Sequence, residues 1–250
     1  MRTVHATRYV TPLREGGSLP GIVEADDDGL YVVKFRGAGQ GPKALAAEIV
    51  AGELARALGL PVPELVYVDL DAALGNAEPD PEIQELIQAS GGLNVGLDFL
   101  PGSLAFDEAA AARVSPETAA EIVWLDALVM NVDRTPRNPN MLVWHRDLWL
   151  IDHGASLYLQ HGTDDLAQEA GRKFPIIAQH VLLPHAGSIL EADARLTAKL
   201  PDLTALLDLV PAEWIGGDRT PYVEFLRRRL DGAPRAFAEE AERARAALGQ

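Results

Sequence analysis

Apolar and polar positions alternate over the first third of the chain and recur at helical spacing over most of the rest. ATRYV (6–10), GIVEA (21–25) and LYVVKF (30–35) are short runs rich in β-branched and aromatic residues, which predicts three strands. Asp26-Asp27-Asp28-Gly29 separates the last two and reads as a turn. A glycine-rich loop from Gly37 to Gly41 leads into Leu45, Ile49, Leu54 and Leu58, whose spacing predicts a helix over about 44–58 that Gly59 stops. ELVYVDL (64–70) predicts another strand, and the acidic, proline-containing stretch 71–90 a surface insertion with one short helix. GLNVGLDFLPGS (92–103) predicts a strand that runs into a Pro-Gly break.

Ser115-Pro116-Glu117 carries N-cap, first-position and first-turn residues in order, and predicts a helix that continues through Ile122, Leu125, Leu128 and Val129. A dense polar loop follows. MLVW (141–144) and LWLI (148–151) then predict a hairpin turning at His145-Arg146-Asp147, and from about 164 the periodicity is helical. Strands first and helices after, with little βαβ alternation, predict an α+β fold with two segregated lobes. The expected division is a β-rich N-lobe over 1–96, a crossing over 97–102 and a helical C-lobe over 103–250.

Composition narrows the classes of function. The chain has 250 residues, 48% of them hydrophobic, enough for a full core, and no run of about 18 apolar residues that could span a membrane. MRTVHATRYV lacks the pattern of a secretory signal, and there are no cysteines to form disulfides, thiolate metal sites or a cysteine nucleophile. A cytoplasmic location is the expectation. A net charge of −15 repels phosphate backbones and anionic lipid, so neither nucleic acid nor membrane is an expected partner. The densest basic run, Arg227-Arg228-Arg229, reads as a solvated helix face.

The strongest chemical signal is Asn131-Val132-Asp133-Arg134-Thr135-Pro136-Arg137-Asn138-Pro139-Asn140-Met141, between a predicted helix and a predicted hairpin whose far end delivers Asp152-His153-Gly154. Phosphoryl transfer from a nucleotide needs a carboxylate near the accepting hydroxyl and oxygen ligands for Mg²⁺. An aspartate followed five residues later by an asparagine gives one loop both roles, and Asp152 supplies a second metal ligand. Taken singly, Asp133 and Asn138 could be turn formers and Asp152 a cap. Asp126, inside an otherwise apolar helix, could bond the polar loop or lie on an exposed face. His145, His153 and His161 do not have the spacing of a helical metal site, and His153 reads better as an orienting neighbour of Asp152. Ser18 and Ser156 lack His–Asp company, which argues against a serine hydrolase.

Asp133-Arg134-x-x-x-Asn138 followed by a hairpin and Asp152-His153-Gly154 resembles the HipA-like kinases, and more distantly the phosphoinositide kinases. That resemblance implies a two-lobed protein-kinase-like fold using ATP and Mg²⁺. It makes Asp133 the catalytic aspartate and Asn138 and Asp152 the metal ligands. It makes Lys34, in Val32-Val33-Lys34-Phe35, the phosphate-binding lysine, with Glu48 as its partner. Gly16, Gly17 and Ser18 match the phosphate loop loosely, and Asp98, Phe99 and Leu100 would offer backbone groups to the adenine. Ser18 is the hydroxyl that inactivating phosphorylation would target in such a family. The resemblance also implies a short form without the extra N-terminal subdomain of HipA toxins. The expected acceptor is a serine or threonine of a protein. A small-molecule or lipid kinase of the same fold, and a nucleotide-binding pseudokinase acting as a regulatory partner, are the alternatives. An antitoxin-like partner fits the resemblance, but no residue identifies one.

Overall fold

The structure, a computed structural model, describes residues 1–13, 19–39 and 41–248. β1 (Thr3–Pro12), β2 (Gly21–Ala25) and β3 (Leu30–Lys34) form an antiparallel meander. The β2–β3 turn falls where Asp27 accepts the Gly29 amide at 3.0 Å and Asp28 takes a φ of 63°. This is the conformation that aspartate and asparagine adopt more readily than other side chains. α1 (Pro42–Ala57) starts with a proline, whose missing N–H would have had no helical partner in any case. β4 (Leu65–Leu70), α2 (Pro81–Ala89) and β5 (Gly92–Asp98) complete the first half.

The five strands close into a barrel in the order β1-β2-β3-β5-β4, because the start of β1 lies parallel to β4 with Thr3 opposite Tyr67. Val23, Tyr31, Val33, Val66 and Val68 fill it. The 71–90 stretch is more than a surface insertion, since Ile83 and Ile87 of α2 are buried in this same core.

The second half holds β6 (Leu104–Ala105), α3 (Glu108–Ala111), α4 (Pro116–Val129), β7 (Met141–Trp144) and β8 (Asp147–Leu150), then α5 (Ile189–Thr197), α6 (Leu203–Asp208), α7 (Thr220–Arg229) and α8 (Ala236–Ala247). The β7–β8 turn is the two residues His145 and Arg146, both at positive φ (51° and 76°), while Asp147 belongs to β8. That is the tight primed turn whose twist matches paired strands. Between Tyr158 and His185 the chain makes four short 3₁₀ turns instead of α-helices.

α4 is apolar on almost every side and lies at the centre, with Ile122 through Val129 all buried. A helix of that composition belongs inside. Its Ser115 cap accepts the Thr118 amide at 3.1 Å, and Met130, at φ 52°, ends it. One continuous core joins α4 to α1 and to α5–α8 through side chains such as Ile49, Leu54, Trp124, Leu128 and Phe225.

The arginine triplet corrects a sequence expectation. Arg227 and Arg228 are exposed, but Arg229 is 5% exposed. It donates to the Ala127 and Leu128 carbonyls at 2.7 and 2.8 Å and to the Ala170 carbonyl at 3.0 Å. Carbonyls at a helix C-terminus have no partner within the helix, and a buried guanidinium supplies one. Burial lowers its pKa to about 10. Among the described residues no helix is long and apolar enough to cross a membrane.

Candidate active site

A cleft of about 1370 Å³ opens between the barrel and the helical half. Two structures deliver its polar lining. The first is the end of β3, where the alternation that buries Val33 and Phe35 sends Lys34 the other way. Lys34 Nζ lies 2.5 Å from Glu48 Oε2 of α1 and also contacts Asp152 Oδ1 directly. Glu48 is fully buried, whereas the Asp152 side chain is 40% exposed.

The ionisation of the trio follows from that geometry. Burial alone would lower the Lys34 pKa, but the charges of Glu48 and Asp152 outweigh it and hold the ammonium above its ordinary value. The lysine charge pulls Asp152 below the usual carboxylate range, against burial. Burial pushes Glu48 up while Lys34 opposes it. The net result is a cation shared between two acidic groups.

The second structure is the loop after α4. Asn131 Oδ1 accepts the Asp133 amide at 3.1 Å, and Thr135 and Asn138 exchange both backbone hydrogen bonds (3.1 and 3.0 Å) around a tight Pro136-Arg137 tip. The turn brings Asn138 Nδ2 to 2.6 Å from Asp133 Oδ2. Asp133 is half-buried, and burial raises its pKa, with Asn140 and Asn138 opposing and the Asp152 charge adding.

Both loops rest on a buried ionic hub. Arg134, 1% exposed, donates Nε to Asp126 Oδ2 at 2.5 Å and Nη1 to the Asn140 carbonyl at 2.5 Å, and Nη2 lies 3.3 Å from His153 Nδ1. Asp126 also accepts from Asn131 Nδ2 at 3.1 Å and pairs with His180 Nε2 at 2.9 Å. The Leu182 amide donates to His180 Nδ1 at 3.0 Å, so a neutral His180 carries its proton on Nε2 and donates it to Asp126. Burial would raise the Asp126 pKa, yet Arg134 and His180 hold it well below the carboxylate range. Asp126 therefore bonds the polar loop, the first of the two readings its sequence context allowed. His153, buried next to Arg134, is pushed down to about 3 and stays neutral.

Of the residues singled out from sequence, Lys34, Asp133, Asn138 and Asp152 line this cleft, and Glu48 is buried behind Lys34. Asp98, Phe99 and Leu100 line its other end, but two of their amides are spent within the fold. Asp98 donates to the Glu64 carbonyl and Phe99 to the Leu30 carbonyl, both at 2.9 Å. The Leu100 amide makes no hydrogen bond among the described residues. Gly16, Gly17 and Ser18 lie outside the described residues. Sequence reasoning missed Arg134 as an anchor, and also His180 and Asn140. Arg134 and Asn140 sit in the loop already recognised. Nothing local marks His180, whose contact is made 54 positions from Asp126.

Comparison with known proteins shows that the fold is similar to that of a kinase. The structure aligns with that of the proinflammatory kinase CtkA of Helicobacter pylori, with a TM-score of 0.55, 15% sequence identity, and coverage of 98% of this chain and 99% of that one. At that identity the likeness is one of fold. A search of curated proteins finds no match. The family profile described as HipA-like kinase matches residues 7–231. The chain belongs to the HipA-like kinase family.

Proposed function

We propose that the chain is an ATP- and Mg²⁺-dependent phosphotransferase of two-lobed kinase architecture that acts on a serine or threonine hydroxyl of a protein. The observation that carries this reading is the convergence at one cleft of Asp133, Asn138 and Asp152 with Lys34, which the buried Glu48 holds from behind. A cytoplasmic location goes with it, because that compartment supplies both ATP and Mg²⁺.

The donor set suits Mg²⁺. Asp152 and Asn138 offer hard oxygen ligands, and no group of three or more His, Cys, Asp or Glu among the described residues could hold an ion alone. Magnesium is commonly held by one or two protein ligands, with phosphate and water oxygens completing its shell. When bound, it neutralises charge on the phosphates. Lys34 would take the phosphate oxygens while Glu48 keeps its ammonium aimed into the cleft. Asp133 would orient the acceptor hydroxyl and take its proton. The cleft exceeds the roughly 300–1,000 Å³ of an ordinary small-molecule pocket, which leaves room for an acceptor side chain beside the nucleotide.

The deciding experiment is incubation with Mg²⁺ and ATP labelled in the γ-phosphate, followed by a search for label on proteins, including the chain itself. Label transferred by the wild type and not by Asp133→Asn is the expected result. Transfer at the wild-type rate by Asp133→Asn would place the base elsewhere, and label found only in free phosphate would remove the kinase reading.

A further inference from the structure

Asn140 was assigned no part by the sequence, yet it is held at more points than Asn138. Its side chain and backbone are buried to 9% exposure, and it adopts a φ of 49°. Its carbonyl accepts from Arg134 Nη1 at 2.5 Å and from the Ile151 amide at 3.0 Å, so it is gripped by both the polar loop and the returning hairpin. Its side-chain amide has two N–H groups. Nδ2 reaches Asp133 Oδ2 at 3.3 Å and the Asp152 carbonyl at 3.4 Å. We propose that Asn140 is a positioning residue that latches the loop carrying Asp133 to the loop carrying Asp152 and fixes which oxygen of Asp133 faces the acceptor.

The choice of oxygen follows from the contacts. Both asparagine donors fall on Oδ2, while Oδ1 of Asp133 accepts no hydrogen bond among the described residues. Oδ1 is thus left for the hydroxyl. Asn138 is exposed and sits at the base of the Pro136-Arg137 turn, so it is the amide that can swing its oxygen toward a cation. Asn140 is buried and its Nδ2 already bridges the two loops, so turning its oxygen toward the cleft would forfeit both contacts. It remains the donor to Asp133 when Asn138 is otherwise engaged. The left-handed backbone is part of the device. Asparagine tolerates it better than most residues, and it turns the side chain back between the two loops.

This inference rests on the phosphotransferase reading, and its test separates the two. Asn140→Asp keeps size and backbone tolerance but replaces the donor with a second carboxylate. Asn140→Gly removes the side chain without adding charge and accepts the same φ. In the ligand-free protein, amide hydrogen exchange should quicken by roughly tenfold in both variants, and in both 131–139 and 152–156 at once. Exchange unchanged in these segments, or quickened in only one, overturns the latch whether or not the chain is an enzyme. For the reaction, turnover should fall roughly 10- to 100-fold in both variants, the scale of loss expected from a misplaced reacting group. Mg-nucleotide affinity should stay within about threefold of wild type by the same argument, since neither loop's ligands are removed. Turnover that holds in either variant, or that falls only as far as nucleotide affinity does, overturns the positioning role. A wild-type chain that neither binds nor consumes Mg-ATP fails the functional reading and the positioning role with it, and exchange still decides the latch.

Discussion

The Asp126 carboxylate accepts from or pairs with three side chains, and each serves a different segment: Asn131 at the end of α4, Arg134 in the polar loop and His180 in the 3₁₀ region. Asp126→Asn keeps the shape but leaves the Arg134 guanidinium buried without its counter-ion. Breaking one side of a buried pair costs about 3–5 kcal/mol, so denaturant unfolding should show a loss of that order, and a change below about 1 kcal/mol would deny the hub its role. His180 adds a pH dependence with a definite sign. Burial lowers its pKa from the ordinary 6.5, although Asp126 pulls the other way. Below pH 6.5 the unfolded chain therefore takes up a proton that the folded chain refuses, and stability falls as pH drops toward the depressed folded value. Each histidine of this kind contributes a slope of about 1.4 kcal/mol per pH unit within its window. His180→Gln should flatten stability against pH over that range; an unchanged slope would mean that other groups set it. At this scale the sequence was legible where polarity broke an apolar context. Asp133, Asn138 and Asp152 stood out between apolar elements, and Asp126 stood out within one. His180 did not, because its meaning is a contact made across the fold.

α1 shows what element-level patterning conveys and what it hides. Its spacing of leucine and isoleucine predicted the helix within two residues at the start, and the N-terminal strands fell close to their expected places. Burial of an unbroken stretch from Leu45 to Gly52 was not legible, since that depends on the barrel lying on one side and α4 and α6 on the other. Barrel closure was hidden for the same reason: a parallel pairing between β1 and β4 leaves no mark on either strand's alternation. The first turn of α1 is also clamped reciprocally to the helical half. Lys43 Nζ donates to the Gln160 carbonyl at 2.6 Å, and Gln160 Nε2 donates to the Lys43 carbonyl at 3.1 Å. The buried Tyr222 hydroxyl donates to Gln160 Oε1 at 3.0 Å. This clamp sits five residues before Glu48, so it fixes the partner of Lys34. Gln160→Leu leaves the Tyr222 hydroxyl buried without its acceptor, at a cost of about 1–3 kcal/mol. Thermal unfolding should register that loss, and a melting temperature equal to wild type would show that the clamp adds nothing.

For the molecule as a whole, the Lys34 ammonium of the barrel reaches across the cleft to Asp152 of the helical half, and this bears on how the ligands of the proposed reaction would enter. Lys34 belongs to the barrel and Asp152 to the helical half, and in the ligand-free cleft the ammonium is the counter-charge of the carboxylate. Magnesium alone would have to displace a cation already in contact with Asp152, without phosphate oxygens to complete its shell. A nucleotide alone would bring negative charge toward Glu48, Asp133 and Asp152 with only Lys34, among the described residues lining the cleft, to receive it. On the proposed phosphotransferase reading the two together would exchange partners, phosphate oxygens taking Lys34 and Asp152 turning to the metal. The expected behaviour is strong mutual dependence, which linkage requires to be equal in both directions. Mg²⁺ alone should leave the melting temperature nearly unchanged, and a non-hydrolysable ATP analogue alone should raise it only slightly. The pair at about 100 times its dissociation constant should add about 2.7 kcal/mol, roughly 5–11 °C for a chain of this size. Asp152→Asn is the right variant to remove the metal's share. Asp152 itself sits at φ 55°, where asparagine is tolerated and alanine would add backbone strain unrelated to the ion. That variant should melt with the analogue plus Mg²⁺ as the wild type does with the analogue alone. Additive shifts from the two ligands, or a full shift from Mg²⁺ without nucleotide, would show that Lys34 does not hold Asp152 in reserve.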